Sequence, residues 1–97
     1  MNKYVTEALK LVTDDRRKEY GPIRPSFERI SNYWSEFLRL PITAEQVAIM
    51  MILFKIAREQ HQHKDDNVVD IIGYAALLGD LLAPPLPTPP PPNPVEN

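Results

Sequence analysis

Lys55 is the one polar side chain between Val47 and Ala57, the most apolar stretch of this sequence, and Arg58 follows three residues later. At that spacing on a helix both cations project from one face. An ammonium buried without a counter-charge is costly, so Lys55 demands an anion from the protein or from a ligand. Asn67, Asp70 and Tyr74 stand downstream at i, i+3 and i+7, with Asp66 four positions before Asp70. An antiparallel hairpin of two helices would set Lys55 and Arg58 opposite Asp66 and Asp70. Two kinds of chemistry fit. One is a salt-bridge network that fixes the register of the helices. The other is a pocket wall, in which Lys55 and Arg58 hold phosphate oxygens while Asn67, Asp70 and Tyr74 meet a base or sugar. The two are compatible if the network is only half satisfied without ligand.

A second cationic group, Arg16, Arg17, Lys18, Arg24 and Arg29, surrounds Tyr20-Gly21-Pro22. Asp14, Asp15, Glu19 and Glu28 interleave with it, so it reads first as a solvated mixed-charge turn. Tyr20 and Arg24 remain candidate ligand contacts, because a Gly-Pro turn would fix them. His61 and His63 at i, i+2 do not share a helix face, so no metal is expected there. With no cysteine in the chain, thiolate sites and disulfides are excluded. No glycine-rich phosphate loop, nucleophile elbow or Ser/His/Asp arrangement occurs, and no cofactor is expected.

The elements that must position these residues are helices. Val5, Ala8, Leu9 and Val12 define a first helix from about residue 2 to 12, which can continue until Gly21-Pro22 stops it. Pro25 suits the first turn of a second helix, about 25–39, with Phe27, Ile30, Tyr33, Trp34, Phe37 and Leu38 as its apolar stripe; Tyr33 and Trp34 read as core or interface. Thr43 and Gln46 form a capping-box pattern that opens a third helix reaching about Gln62. Asp65 or Asp66 can cap a fourth over about 66–82, whose apolar surface comes from Val68, Val69, Ile71, Ile72, Ala75, Ala76, Leu78, Leu81 and Leu82. No strand pattern stands out, and the fold class is all-α, a four-helix bundle.

The chain has 97 residues, and eight of its eleven prolines fall within residues 84–94. Residues 1–83 therefore read as the helical domain and 84–97 as a proline-rich tail of polyproline II character. The tail has PxxP spacing at Pro87 to Pro90 and Pro89 to Pro92, suited to an aromatic-lined groove, but lacks a basic flank and reads equally as a stiff solvated terminus. A domain this small without staples often completes its core by self-association. The third helix, apolar on every side, needs cover on every side. Either it lies in a subunit interface of a homo-oligomer, or the first helix wraps tightly around it in a monomer. A net charge of −2 argues against broad nucleic-acid binding. No apolar run approaches a membrane span and no signal-peptide pattern opens the chain, so a soluble intracellular protein is expected.

From Asp15 to Gly79 the pattern resembles a small family of phage and prophage proteins of unknown function. The resemblance is carried by Arg16…Tyr20-Gly21, Ser26-Phe27-Glu28-Arg29-Ile30, Trp34-Ser35, Ile42-Thr43, the run Met50 to Arg58, and Asp66-Asn67-Val68-Val69-Asp70-Ile71-Ile72-Gly73-Tyr74. That family is similar to the nucleotide-modification-associated helical domain and, more distantly, to MazG-like all-α nucleoside triphosphate pyrophosphohydrolases. The resemblance implies a MazG-like bundle, oligomeric, acting in the cytoplasm of a bacterial host. The enzymes hold magnesium with Glu-x-x-Glu on one core helix and Glu-x-x-Asp on the next. Here Lys55 and Arg58 stand at the first pair and Asn67 replaces one member of the second, leaving Asp70. Cations at two ligand positions oppose a metal, so hydrolysis by that route is not expected. The leading expectation is a non-catalytic binder of a nucleotide or other phosphorylated small molecule. An adaptor or inhibitor of a host protein is the alternative, and residual pyrophosphohydrolase activity through Asp66, Asp70 and Glu59 the third.

Overall fold

The computed structural model describes residues 1–15 and 23–83. Tyr20, the Gly21-Pro22 stop and the proline-rich segment lie outside the described residues. Within them the chain is all-helical, with α1 at Lys3–Lys10, α2 at Ile23–Leu38, α3 at Ala44–His61 and α4 at Asp65–Leu82. α1 runs on into a π-helical turn, Leu11–Asp15, where the Thr13 hydroxyl donates back to the Leu9 carbonyl at 2.6 Å. α3 and α4 pack along each other as a hairpin; α1 lies on α4, and α2 chiefly on α3.

Local chemistry sets the helix ends. Asn2 caps α1, its side chain accepting from the Val5 N–H at 3.1 Å. α2 starts at Ile23, two residues before the expected position, and keeps Pro25 in its first turn, where a missing N–H costs nothing. It stops at Leu38 because Arg39 adopts a left-handed conformation (φ 56°) and the Leu40 N–H donates to the Ser35 carbonyl at 3.3 Å, the six-to-one bond of a Schellman end. Ser35 also clamps the connection that follows. Its hydroxyl oxygen accepts from the Ile42 N–H at 2.8 Å and donates to the Ile42 carbonyl at 3.2 Å. Both arms of the Thr43–Gln46 capping box form, at 2.9 and 3.1 Å. For α4 the expected cap is corrected. Lys64 occupies the cap position without a side-chain bond, while Asp65 and Asp66 sit inside the first turn, favourably placed against the helix dipole.

The core is built where α2, α3 and α4 meet: Phe27, Ala44, Val47, Ala48, Leu77 and Leu81, flanked by half-buried Ile30, Trp34, Met51 and Leu78. Beneath α1, Ala8 and Val69 form a smaller buried contact region. The expected stripe of α2 is only partly inside, since Tyr33, Phe37 and Leu38 are exposed. α3 is likewise covered on one side only. Its outer face leaves Ile49, Met50, Leu53, Phe54 and Ile56 exposed within the single chain, and α1 packs against α4 rather than wrapping around α3. No helix among the described residues is long and apolar enough to cross a membrane.

Candidate functional site

The three residues between α3 and α4 (Gln62, His63, Lys64) force an antiparallel hairpin, and that hairpin delivers the counter-charge Lys55 requires. The Lys55 ammonium lies 2.8 Å from Asp70 Oδ2, with the two side chains only 13% and 10% exposed. Arg58 behaves differently. Three residues along a helix advance it by about 300°, so it stands about 60° from Lys55 and leaves the seam for the rim. It is exposed, with its guanidinium 5.8 Å from the Phe54 ring centroid, a cation–π arrangement. Neither Arg58 nor Asp66 has an ion-pair partner among the described residues. Of the expected four-membered network, Lys55–Asp70 is the pair that forms among the described residues.

Arg58 instead lines an open cleft of about 530 Å³ at the hairpin end, with Phe54, Ala57, His61, Gln62, Lys64 and Asn67. The size suits a small-molecule ligand. Arg58 and Lys64 bring fixed positive charge and Phe54 an apolar ring. Asn67 is 1% exposed, and its carbonyl oxygen Oδ1 is buried with no hydrogen-bond partner among the described residues. Its amide nitrogen donates to Glu59 Oε1 at 3.3 Å. A buried acceptor without a donor costs free energy, so this atom calls for a donor that the described residues do not supply.

The remaining sequence candidates lie elsewhere. Asp70 and Tyr74 face α1, around a recess with Ala8, Val12 and Gly73 whose volume, about 10 Å³, suits nothing larger than a water. Arg24 donates to the Leu81 carbonyl at the end of α4 and lies 3.8 Å from Glu28 and 3.7 Å from Glu45. It staples the start of α2 to the last turn of α4, where a cation complements the dipole. Of the candidates among the described residues, only Arg58 and Asn67 share the cleft. Sequence reasoning missed Phe54, His61 and Lys64 as cleft members; the pattern Phe54-x-x-x-Arg58 at i, i+4 was the available signal.

Glu59 ties together two residues of the cleft lining, Lys64 and Asn67. Its Oε1 accepts from the Lys64 N–H at 3.1 Å as well as from Asn67, and its Oε2 pairs with His63 Nδ1. His63 Nε2 lies 3.1 Å from Asp65 Oδ1, and Asp65 also accepts from Lys3 (3.0 Å) and the Tyr4 hydroxyl (3.1 Å). The Glu59 hydrogen bond, with Asp65 assisting, raises the His63 pKa above the ordinary imidazole value. The His63 contact lowers Glu59, and the Lys3 contact lowers Asp65. The raised histidine stabilises the fold fully below its unfolded pKa, and this contribution is lost as pH rises through the folded value. The lowered carboxylates contribute above their unfolded pKa values, and that is lost as pH falls through the folded ones. Stability is therefore expected to peak between the carboxylate range and the raised histidine pKa. Thermal melts across pH check this. A His63→Ala variant should lose the decline on the alkaline side, and an unaltered pH profile would contradict the assignment.

The comparisons with known proteins agree on kinship. The family described as Domain of unknown function (DUF6378) matches residues 3–82. The Gene 55 protein of Mycobacterium phage L5 is 39% identical over 82 residues, covering 82% of this chain and 53% of that protein. The Gene 55 protein of Mycobacterium phage D29 is 37% identical over 73 residues, covering 74% and 48% respectively. The chain spans about half the length of these relatives. No solved structure matches. With four-fifths of its length aligned to one family and two phage proteins similar to it, the chain belongs to the DUF6378 family.

Proposed function

We propose that this chain is a non-catalytic phage-type protein, a MazG-like bundle in descent, that binds a nucleotide or another phosphorylated small molecule at the hairpin end. The observation that carries the reading is the cleft itself, where Arg58 and Lys64 lack anionic partners among the described residues and share the lining with the Phe54 ring and with Asn67, whose carbonyl is unmet. Arg58 offers paired N–H donors to phosphate oxygens, Lys64 a second positive charge, and Phe54 a surface for a base. Asn67 Oδ1 would accept from an exocyclic amine or a ribose hydroxyl. Lys55 and Asp70 then serve by holding the two helices in register, not by touching ligand. Binding without turnover is favoured because the carboxylates that would hold magnesium are engaged: Asp70 by Lys55, and Glu59 by His63 and the chain turn.

Titration calorimetry at low salt with ATP and with inorganic pyrophosphate tests the proposal. Arg58→Ala is expected to weaken binding by about tenfold or more, the loss of a charge-assisted hydrogen bond. Lys55→Met should leave affinity unchanged while lowering the melting temperature. Absence of binding by the wild type, or equal affinity in Arg58→Ala, would refute it. The adaptor reading draws on one specific observation, the exposure of Tyr33 and Phe37 on α2. Retained ATP binding with lost host-protein capture in a Tyr33→Asp/Phe37→Asp variant would favour that reading.

A further inference from the structure

The outer face of α3 is apolar, uncharged and centred on Leu53. Ile49, Met50, Leu53, Ile56 and Ala57 occupy it, with Gln46 and Gln60 at its ends, all on the side turned away from Val47, Ala48 and Lys55. Counted outward from Leu53, the positions match in both directions. Met50 and Ile56 lie three away, Ile49 and Ala57 four away, and Gln46 and Gln60 seven away. A two-fold axis through Leu53 would therefore set a second α3 antiparallel to the first. Leucine would meet leucine, Ile49 would meet Ile56, the long Met50 the small Ala57, and glutamine would meet glutamine as a polar rim. Such self-complementarity is what an isologous interface requires.

We infer that this face pairs with a second copy of the same chain. The area reaches what a specific pair needs. Leu53 is 58% exposed, Ile49 44%, Ile56 38% and Met50 37%, which amounts to about 300 Å² of apolar surface on one copy. Two copies bury about 600 Å² of apolar area, and with the usual share of polar atoms the whole interface reaches roughly 1,000 Å², the threshold for a specific interface. No lysine, arginine, aspartate or glutamate sits on the face to oppose pairing. Ala57 belongs both to this face and to the cleft lining, and Phe54 flanks the two, so pairing brings the second copy to the edge of the ligand site. That last link rests on the proposed phosphate-binding reading, whereas the pairing itself does not.

Sedimentation equilibrium at tens of micromolar, without ligand, tests the pairing independently of binding. The wild type should sediment at the mass of two chains, and Leu53→Asp at the mass of one, with its helical circular dichroism unchanged because Leu53 is exposed in the single chain. The absence of cysteine permits a second measurement: Leu53→Cys should cross-link to a two-chain species under mild oxidation, while Glu36→Cys, on α2, should not. A single-chain wild type overturns the inference, as does a Leu53→Asp variant that still sediments at the mass of two. A wild type that pairs only after residues 84–97 are deleted would assign the face to the proline-rich segment and overturn it equally.

Discussion

Asp70→Ala is expected to destabilise the fold by about 3 kcal/mol, because it strands the Lys55 ammonium in the α3–α4 seam. For a domain of this size that is a fall of about 15 °C in melting temperature. The size follows from geometry. At 2.8 Å and little exposed, the pair is screened far less than a surface ion pair. The expectation is not that the salt bridge itself contributes 3 kcal/mol, since desolvating both ions offsets most of their attraction. A Lys55→Met/Asp70→Leu double variant should accordingly recover most of the loss. Chemical denaturation of Lys55→Met, Asp70→Leu and the double closes the cycle. A coupling energy below about 0.5 kcal/mol would mean that the pair does not fix the hairpin.

Phe27→Ala should be the most damaging truncation of the core, at about 4 kcal/mol. Phe27 is the one large aromatic buried where α2 meets Val47, Ala48, Leu77 and Leu81. Small domains hold only about 5–10 kcal/mol in total, so the variant should lie close to unfolding at ambient temperature. Phe27→Leu, which keeps most of the volume, should cost less than about 1.5 kcal/mol. Urea midpoints measure both. A small effect in Phe27→Ala would show that α2 contributes little to the cooperative unit.

What the sequence disclosed divides along physical lines. The Thr43–Gln46 box and the Pro25 start were legible because each depends on a few neighbouring residues and on backbone groups that must be satisfied locally. The Lys55–Asp70 contact was legible for a different reason: a cation amid apolar side chains admits few solutions, and a short connection leaves little choice of register. The location of the cleft was not legible, because it depends on how α3 is rotated against α4. A turn of about 60° separates the seam position of Lys55 from the rim position of Arg58. The same uncertainty in rotation explains Tyr33 and Phe37, placed on the apolar stripe of α2 by spacing alone yet exposed in the single chain. Lys64 at the α4 cap position was illegible too. Asp65, the better capping residue, is drawn instead to Lys3, Tyr4 and His63, and such long-range contacts leave no trace in local spacing.

The fastening of α1 has a consequence for how the molecule breathes. Its one fully buried side chain is Ala8, and its polar ties to the hairpin, Lys3 and Tyr4 on Asp65, are solvent-exposed. Lifting such a segment disturbs far less buried surface than separating α3 from α4, so its amides should exchange with solvent through a partial opening while those around Val47 await global unfolding. Each such excursion would hydrate the flank of α4 at Val69 and Gly73, making the amino-terminal segment a latch with its own, lower melting point.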